Sequence, residues 1–190
     1  KEALEIIPKL ADMYDEPFGD SSAIPTALVS QLARKAVTVS LSADGGDEIF
    51  VGYEKYEKAV FYYKKLSNIP DPIRKFVSWI LDIINPNLVP FKDKIGNFES
   101  KFEKIKNLLT AESPVAVMKY LTQHYTGNEV KKLLQIDIKE QKTNFENFNV
   151  INNSNDIINQ MLAIDYQTYM VDDILTKVDR ATMSVSLEGR

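Results

Sequence analysis

The chain has 190 residues, which is the length of one ordinary domain and enough to bury a hydrophobic core. Its 27 acidic and 23 basic residues give a formal net charge of -4, which argues against a protein that binds nucleic acid through a basic face. The chain contains no cysteine, which excludes a disulfide framework and a thiolate metal site, and no apolar run approaches the roughly 20 residues that cross a bilayer. We therefore expect a cytoplasmic globular domain without a nucleic-acid or membrane partner.

The N-terminal part of the chain predicts two helices on either side of an acidic loop at residues 15–20. Pro17 and Gly19 punctuate that loop. Ser21 or Ser22 is placed to cap the second helix.

The hydrophobic period then changes. Residues 37–41 are short, rich in β-branched side chains and followed by glycines, which predicts a strand. A loop at 42–46 follows, and a long helix is predicted from near Asp47 towards Leu66. This order of helix, strand, loop and helix is typical of one unit of an α/β sheet.

The remainder of the chain predicts further helices, so the chain should be predominantly α-helical with one strand at about 37–41. Prolines break residues 67–155 into short helices, and one of these has an apolar face. Residues 145–155 are rich in asparagine and predict a loop. Ser154 or Asp156 should cap a helix that carries Met161 and Ile164, and another helix should follow it. The apolar face of the proline-flanked helix consists of Ile73, Phe76, Val77, Ile80 and Ile84.

The loop at 42–46 is the first candidate site. Ligands of an open α/β sheet bind beyond the carboxyl ends of its strands, and the N–H groups at a helix start suit phosphate. Asp44, Asp47 and Glu48 would repel phosphate unless Mg²⁺ bridges them, since that cation takes oxygen ligands from carboxylates and phosphates together. The alternative is an ordinary turn with Asp47 as a favourable acidic residue at a helix N-terminus.

The second candidate site is the segment at 172–180. Asp173 and Lys177 are four residues apart, which predicts an ion pair on a helix surface. The alternative, favoured by the apolar residues nearby, is that Lys177 and Arg180 stabilise charge on a transferred phosphate group. The single histidine, His124, is expected to be a surface or packing residue, because metal and triad chemistry need convergent partners.

Three segments, in order, resemble the synthetase domain of asparagine synthetases. Residues 41–53 (LSADGGDEIFVGY) are similar to the family's signature loop, residues 15–22 (DEPFGDSS) to the segment before it, and residues 175–190 (LTKVDRATMSVSLEGR) to a stretch after it. The resemblance implies a Rossmann-like adenine nucleotide alpha-hydrolase fold of the α/β class. It implies an enzyme that uses ATP and magnesium to adenylate aspartate, and that transfers ammonia, supplied from glutamine by a glutaminase domain, to give asparagine.

The resemblance also implies roles for individual residues. Ser42 and Ala43 would contact ATP through main-chain groups, in a loop that Gly45 and Gly46 make permissive. Asp44 would lie beside the acyl-adenylate, where it would assist the attack of ammonia.

Three charged residues complete the implied site. Asp47 would bind the magnesium that bridges pyrophosphate. Lys177 and Arg180 would be phosphate-facing or structural cations.

The chain departs from the family in several places. Ala43 stands where a glycine is usual, and one glycine of the run at 50–52 is also replaced. The Ser-Gly-Gly-x-Asp-Ser pyrophosphate loop and a glutaminase cysteine are absent, and Arg190 falls short of the Pro-Phe-Leu-Asp that normally follows. We therefore expect residues 1–190 to be a partial synthetase domain, inactive by itself and truncated at its C-terminus.

Two other functions stay open from the sequence. A related enzyme could adenylate another carboxylate, as a β-lactam-forming synthetase or an amidotransferase for a cell-surface sugar acid does. The chain could instead be a non-catalytic helical assembly module, although the retention of Asp44 and Asp47 argues against that function. A homodimer through the parent protein is a further expectation.

Overall fold

The computed structural model describes residues 2–86, 89, 94, 96–136, 143–145 and 156–190. The chain divides into two compact units, one of Lys1–Gly52 with Leu162–Arg190 and one of Tyr53–Met161. The predicted predominance of helix is confirmed.

The described residues form α-helices, one short 3-10 helix, one π-helical segment and one parallel sheet of two strands. The first unit contains α1 (Glu2–Ile6), the 3-10 helix (Ile7–Lys9), α2 (Leu10–Met13), α3 (Ala23–Arg34), β1 (Val39–Ser40), α4 (Gly46–Phe50), the π-helical segment (Met170–Leu175), α11 (Thr176–Met183) and β2 (Glu188–Gly189). The second contains α5 (Glu54–Ser67), α6 (Asp71–Ile83), α7 (Phe98–Leu109), α8 (Pro114–Thr122) and α9 (Gly127–Leu134). Helix α10 (Ile157–Gln167) begins in the second unit and ends in the first.

The core of the first unit lies where α1, α3 and α11 meet. Ile6, Ala27 and Ala181 are almost fully buried there, and Leu10, Met13, Ile24 and Leu28 pack around them. The small side chains of Ala27 and Ala181 let α3 and α11 approach closely, and this contact holds the C-terminal segment against the N-terminal one.

The predicted strand at 37–41 is shorter than expected, since β1 covers only Val39 and Ser40. It pairs in parallel with β2, with Val39 opposite Glu188 and Ser40 opposite Gly189. The sequence did not predict β2. Because the partner strand is only two residues long, the ladder cannot extend along the whole β-branched run.

The prediction of one long helix from Asp47 towards Leu66 is also wrong, because the helix is interrupted after Phe50. Val51 adopts a left-handed backbone (φ 61°, ψ 42°) that ends α4, and α5 begins at Glu54. The N–H of Gly52 donates to the carbonyl of Asp47 at 2.9 Å, which forms a hydrogen-bonded turn at the C-terminus of α4.

The predictions for the C-terminal part are largely confirmed. The carboxylate of Asp156 accepts a hydrogen bond from the N–H of Ile158 at 2.9 Å, which caps α10, and Met161 and Ile164 are buried. Ser154 lies outside the described residues, as does the loop predicted at 145–155 except for its first residue. The helix predicted after α10 is present, but it begins as the π-helical segment.

The core of the second unit is formed mainly by α5 and α8. Tyr56 and Ala59 of α5 are completely buried, as are Val115, Val117 and Met118 of α8. Ser113 caps α8 by accepting a hydrogen bond from the N–H of Ala116 at 3.1 Å, and Pro114 occupies its first turn.

Candidate functional site

The loop at 42–46 leaves β1 as a tight turn held by two backbone hydrogen bonds. The N–H of Ser42 donates to the carbonyl of Arg190 at 2.8 Å, which continues the pairing of β1 with β2. The N–H of Gly46 donates to the carbonyl of Ala43 at 3.1 Å. Ser42, Ala43 and Asp44 are exposed, so the outer side of the turn is accessible to a ligand.

Gly45 packs this turn against the π-helical segment of the same unit. It is buried and has a left-handed backbone with φ 84°. A Cβ at this position would lie 3.2 Å from Sδ of Met170, in the π-helical segment. A glycine is therefore favoured here both by the backbone and by the contact with Met170.

The side chain of Asp47 lies directly beside Gly52. A Cβ at Gly52 would come within 2.8 Å of Cβ of Asp47 and within 2.6 Å of its Cγ, so a side chain at position 52 would require Asp47 to move. Gly52 thus leaves the space that the exposed carboxylate of Asp47 occupies. Glu48, the next residue, is buried, so the three carboxylates of this motif have different surroundings.

Lys177 lies on α11 and is buried, with a side chain that is only 9% exposed. Its ammonium group donates to the carboxylate of Asp20 at 2.9 Å and to the hydroxyl of Ser22 at 2.8 Å. The hydroxyl of Tyr14 donates to the backbone carbonyl of Lys177 at 3.2 Å. The two contacts of the ammonium group tie α11 to the segment at 15–22.

Asp20 is the centre of this network. It accepts from the N–H of Ser22 at 2.8 Å and from the hydroxyl of Ser22 at 2.6 Å, besides Lys177. Burial alone would raise the pKa of Asp20, but the hydrogen bonds from Ser22 and Lys177 outweigh burial and hold that pKa below its ordinary value. Burial, together with the negative charges of Asp20 and Asp173, raises the pKa of Tyr14.

Arg180 lies one turn after Lys177 and reaches the same acidic segment. Its guanidinium lies 2.9 Å from the carboxylate of Asp15 and 4.0 Å from that of Asp179. The side chain of Arg180 is 46% exposed and that of Asp15 is 80% exposed. Solvent-exposed ion pairs contribute little to stability, so an incoming anion could replace Asp15 at low cost.

The structure thus separates the predicted site residues into two groups. Ser42 to Asp47 form one turn with an accessible outer side, while Lys177 and Arg180 make their ion pairs with the segment at 15–22. The sequence did not indicate the roles of Asp20, Ser22 and Met170. The i,i+4 spacing pointed to Asp173 instead, and nothing local in the sequence could identify a partner from the N-terminal segment.

The remaining expectations from the sequence are about His124, metal ligands and membrane-crossing helices. His124 is exposed in the loop between α8 and α9. Among the described residues, no three His, Cys, Asp or Glu side chains gather in a way that could hold a metal ion. None of the helices in the described ranges combines the length and the apolar character needed to cross a membrane.

Comparison with known proteins places these motifs in a family. The model of the asparagine synthase family matches residues 1–190. The chain is 31% identical over 201 residues to asparagine synthetase [glutamine-hydrolyzing] 1 of Bacillus subtilis, covering 100% of this chain and 28% of that protein. It is 32% identical to putative asparagine synthetase [glutamine-hydrolyzing] 2 of Methanocaldococcus jannaschii, covering 94% of this chain and 32% of that protein.

A putative asparagine synthetase [glutamine-hydrolyzing] of Mycobacterium tuberculosis is 26% identical over 194 residues, which cover 100% of this chain and 27% of that protein. The chain therefore spans about a third or less of the length of these relatives, and no solved structure matches it significantly. The motifs near both ends of the chain and the match over residues 1–190 indicate the same family. The chain belongs to the asparagine synthase family.

Proposed function

We propose that the protein containing this chain is a cytoplasmic ATP-dependent ligase that adenylates the side-chain carboxylate of aspartate. Ammonia derived from glutamine then attacks the adenylate to give asparagine, with AMP and pyrophosphate as the other products. The observation that carries this proposal is the turn at 42–47. It exposes Asp44 and Asp47 at the end of β1, where a ligand of an α/β sheet would bind.

The nucleotide would contact the main chain at Ser42 and Ala43. The N–H of Ser42 and the carbonyl of Ala43 already make hydrogen bonds within the chain. The proposed contacts therefore use the carbonyl of Ser42 and the N–H of Ala43. Gly45 and Gly46 support this arrangement because they fix the turn without side chains that would crowd the ligand.

Asp47 is suited to a magnesium ion that is shared with pyrophosphate. Magnesium keeps several waters and is commonly bound by one or two carboxylates together with substrate phosphates. The exposed carboxylate of Asp47, held beside Gly52, fits such a partial ligand set. When bound, magnesium would neutralise charge on the departing pyrophosphate.

Asp44 is proposed to act on the other substrate. A carboxylate beside an incoming amine can orient it and accept its proton, which is worth about a hundred- to ten-thousand-fold in rate. Asp44 precedes the two glycines and Asp47 follows them, so the turn can direct the two carboxylates to different parts of the adenylate.

The two cations of α11 are proposed to differ in role. Lys177 is buried and fully engaged with Asp20 and Ser22, which supports a structural role in fixing the segment at 15–22. Arg180 is half exposed and paired only at the surface, which supports a role in meeting a phosphate group.

The proposal is tested by assaying the intact protein for aspartate-dependent exchange of pyrophosphate into ATP and for asparagine production from glutamine or ammonium. We expect both activities, and we expect Asp47→Asn to reduce exchange severely. The matched control is Asp12→Asn, an exposed carboxylate of the same unit, which should leave both activities unchanged. The isolated chain of residues 1–190 should show neither activity.

Two results would contradict the proposal. Exchange that depends on a different carboxylate and not on aspartate would show that the protein is a related ligase with another acyl substrate. No exchange with any carboxylate would favour a non-catalytic module.

A further inference from the structure

Gly45 is the buried residue of the turn at 42–47, and a methionine lies against it. Apart from its own neighbours in the chain, only Met170 among the described residues comes within 4 Å of a Cβ at Gly45, with Sδ at 3.2 Å and Cγ at 3.8 Å. Met170 is itself only 7% exposed. An unbranched thioether side chain is suited to filling a space as narrow as this one.

Other contacts hold the two ends of the turn. At its start the N–H of Ser42 donates to the carbonyl of Arg190, and after it Glu48 of α4 is buried. Between these points the side chains of Asp44 and Asp47 are exposed, so packing of their own does little to fix them. The contact of Gly45 with Met170 therefore supports the part of the turn from which the two carboxylates project.

The backbone around Met170 is well fixed by hydrogen bonds of the π-helical segment. The hydroxyl of Thr176 donates to the carbonyl of Val171 at 2.9 Å, and the N–H of Asp172 donates to the carbonyl of Thr168 at 2.8 Å. These bonds lie on both sides of Met170. Helical turns of the π type are rare and occur frequently at functional sites.

The helix that carries Met170 also contacts the other group of predicted site residues. The π-helical segment continues directly into α11, where the ammonium of Lys177 donates to Asp20 and Ser22. One helical run thus holds the segment at 15–22 through Lys177 and the turn at 42–47 through Met170.

We propose that Met170 is a positioning residue for the reaction. By packing on Gly45 it holds the turn so that Asp44 and Asp47 meet the substrates in the geometry that the chemistry needs. This inference rests on the proposed function of the turn. Because a misplacement of about 1 Å can cost about a hundredfold in rate, loss of the contact should lower the rate constant more than the affinity for substrate.

The first test measures the turn itself and does not depend on activity. Amide hydrogen exchange of Gly46, whose N–H donates to the carbonyl of Ala43, is followed in the intact protein. In Met170→Ala the exchange of this amide should be at least about tenfold faster than in the wild type, because the turn opens more often. Met170→Leu, which conserves the volume, should exchange within about threefold of the wild type.

Ile174→Ala is the matched control for this measurement. Ile174 lies in the same π-helical segment and is buried to the same extent as Met170, but it does not contact Gly45. Its truncation should lower the melting temperature about as much as Met170→Ala does, while amide exchange of Gly46 changes less than about threefold.

The second test is kinetic. Met170→Ala should lower the rate constant of aspartate-dependent pyrophosphate exchange about tenfold to a hundredfold and change the KM for ATP less than about threefold. Met170→Leu and Ile174→Ala should both keep most of the rate. A loss of stability alone would instead lower the rates of Met170→Ala and Ile174→Ala together.

Gly45→Ala tests the same contact from the other side. Its Cβ would lie against Sδ of Met170, and the strain of a side chain at φ 84° is the same whether or not Met170 is present. Gly45→Ala should therefore reduce pyrophosphate exchange at least about threefold less in the Met170→Ala background than in the wild type.

Unchanged amide exchange of Gly46 in Met170→Ala, or equal effects of Met170→Ala and Ile174→Ala, would overturn the positioning role. Full pyrophosphate exchange activity in Met170→Ala would reject the role of Met170 and leave the proposed function intact. Absence of this activity in the wild type would reject the proposed function itself, and this inference with it.

Discussion

Nζ of Lys177 lies 2.9 Å from Oδ2 of Asp20, although 157 positions separate the two residues in the chain. The pair joins two of the three segments through which the chain resembles its family. It also accounts for the burial of the Lys177 side chain, because the charge is matched by a carboxylate and a hydroxyl.

The first prediction concerns the stability that this pair supplies. Lys177→Met should leave the half-buried carboxylate of Asp20 without its cation and lower the free energy of unfolding by about 2 kcal/mol, less than the loss of a fully buried pair. Arg180→Met, which removes a half-exposed pair from the same helix, should cost about 1 kcal/mol or less. Urea unfolding of the intact protein measures both changes. Equal costs for the two variants would show that Lys177 is not the structural cation.

The second prediction is a loss of stability in acid. Because the folded-state pKa of Asp20 is depressed, its stabilisation is present above the pKa of the unfolded chain, about 3.9, and is lost as the pH falls through the lower folded value. The melting temperature of the wild type should therefore fall more steeply below about pH 4 than that of Asp20→Asn. Parallel curves for the two proteins would contradict the assignment.

The third prediction concerns Val51, which holds a left-handed backbone at the end of α4. A β-branched residue at φ 61° is strained by about 1–2 kcal/mol. Replacing it with glycine removes the strain but raises the conformational entropy of the unfolded chain, which offsets part of the gain in stability. Val51→Gly should therefore stabilise the protein by about 1 kcal/mol. Ile49→Gly, within α4, should destabilise it by a similar amount. A loss of stability in Val51→Gly would mean that the side chain contributes more by packing than the backbone loses by strain.

The fourth prediction uses Gly52 to displace Asp47 without changing it. Gly52→Ala would place a methyl group where the Asp47 side chain lies, so pyrophosphate exchange should fall about as much as in Asp47→Asn. Gly19→Ala is the control, since no atom lies within 4 Å of a Cβ at that position. Normal exchange in Gly52→Ala would show that the position of Asp47 is not critical for adenylation.

The fifth prediction separates Asp44 from Asp47. Asp47→Asn should reduce adenylate formation, measured by pyrophosphate exchange, and asparagine production together. Asp44→Asn should retain part of the exchange but lose more of the asparagine production, by about a hundredfold or more, because it removes a proton acceptor for the incoming amine. Equal losses in the two half-reactions would indicate one undifferentiated acidic site.

The sequence predicted the helical character of the chain and several element boundaries, because these depend on local periodicity and capping. Asp156 at the start of α10 is an example. The break at Val51 could not be predicted, since β-branched residues avoid a left-handed backbone. Strand β1 was predicted too long, because its length depends on β2, which lies 149 positions further along the chain by the pairing of Val39 with Glu188.

Long-range contacts also could not be predicted from the sequence. The spacing of Asp173 and Lys177 favoured a local ion pair, whereas the ammonium of Lys177 contacts Asp20 and Ser22. The apolar residues of α6 were recognised as one face, but periodicity gives no information on which side a helix packs. Arg74 and Ser78 determine that side through carbonyl groups of α7 and of the loop after it, which no sequence pattern specifies.

The π-helical segment at Met170–Leu175 determines how the residues that follow it are rotated about the helix axis. Its wider turns contain an additional residue, and deleting one residue there would convert it into regular α-helix. The remaining chain would then rotate by about 100° relative to residues 162–167. Lys177 and Arg180 would turn away from Asp20 and Asp15 together, and β2 would reach β1 out of register by one residue. The alignment of the C-terminal segment with the N-terminal one thus depends on the presence of a single backbone unit between Met170 and Leu175.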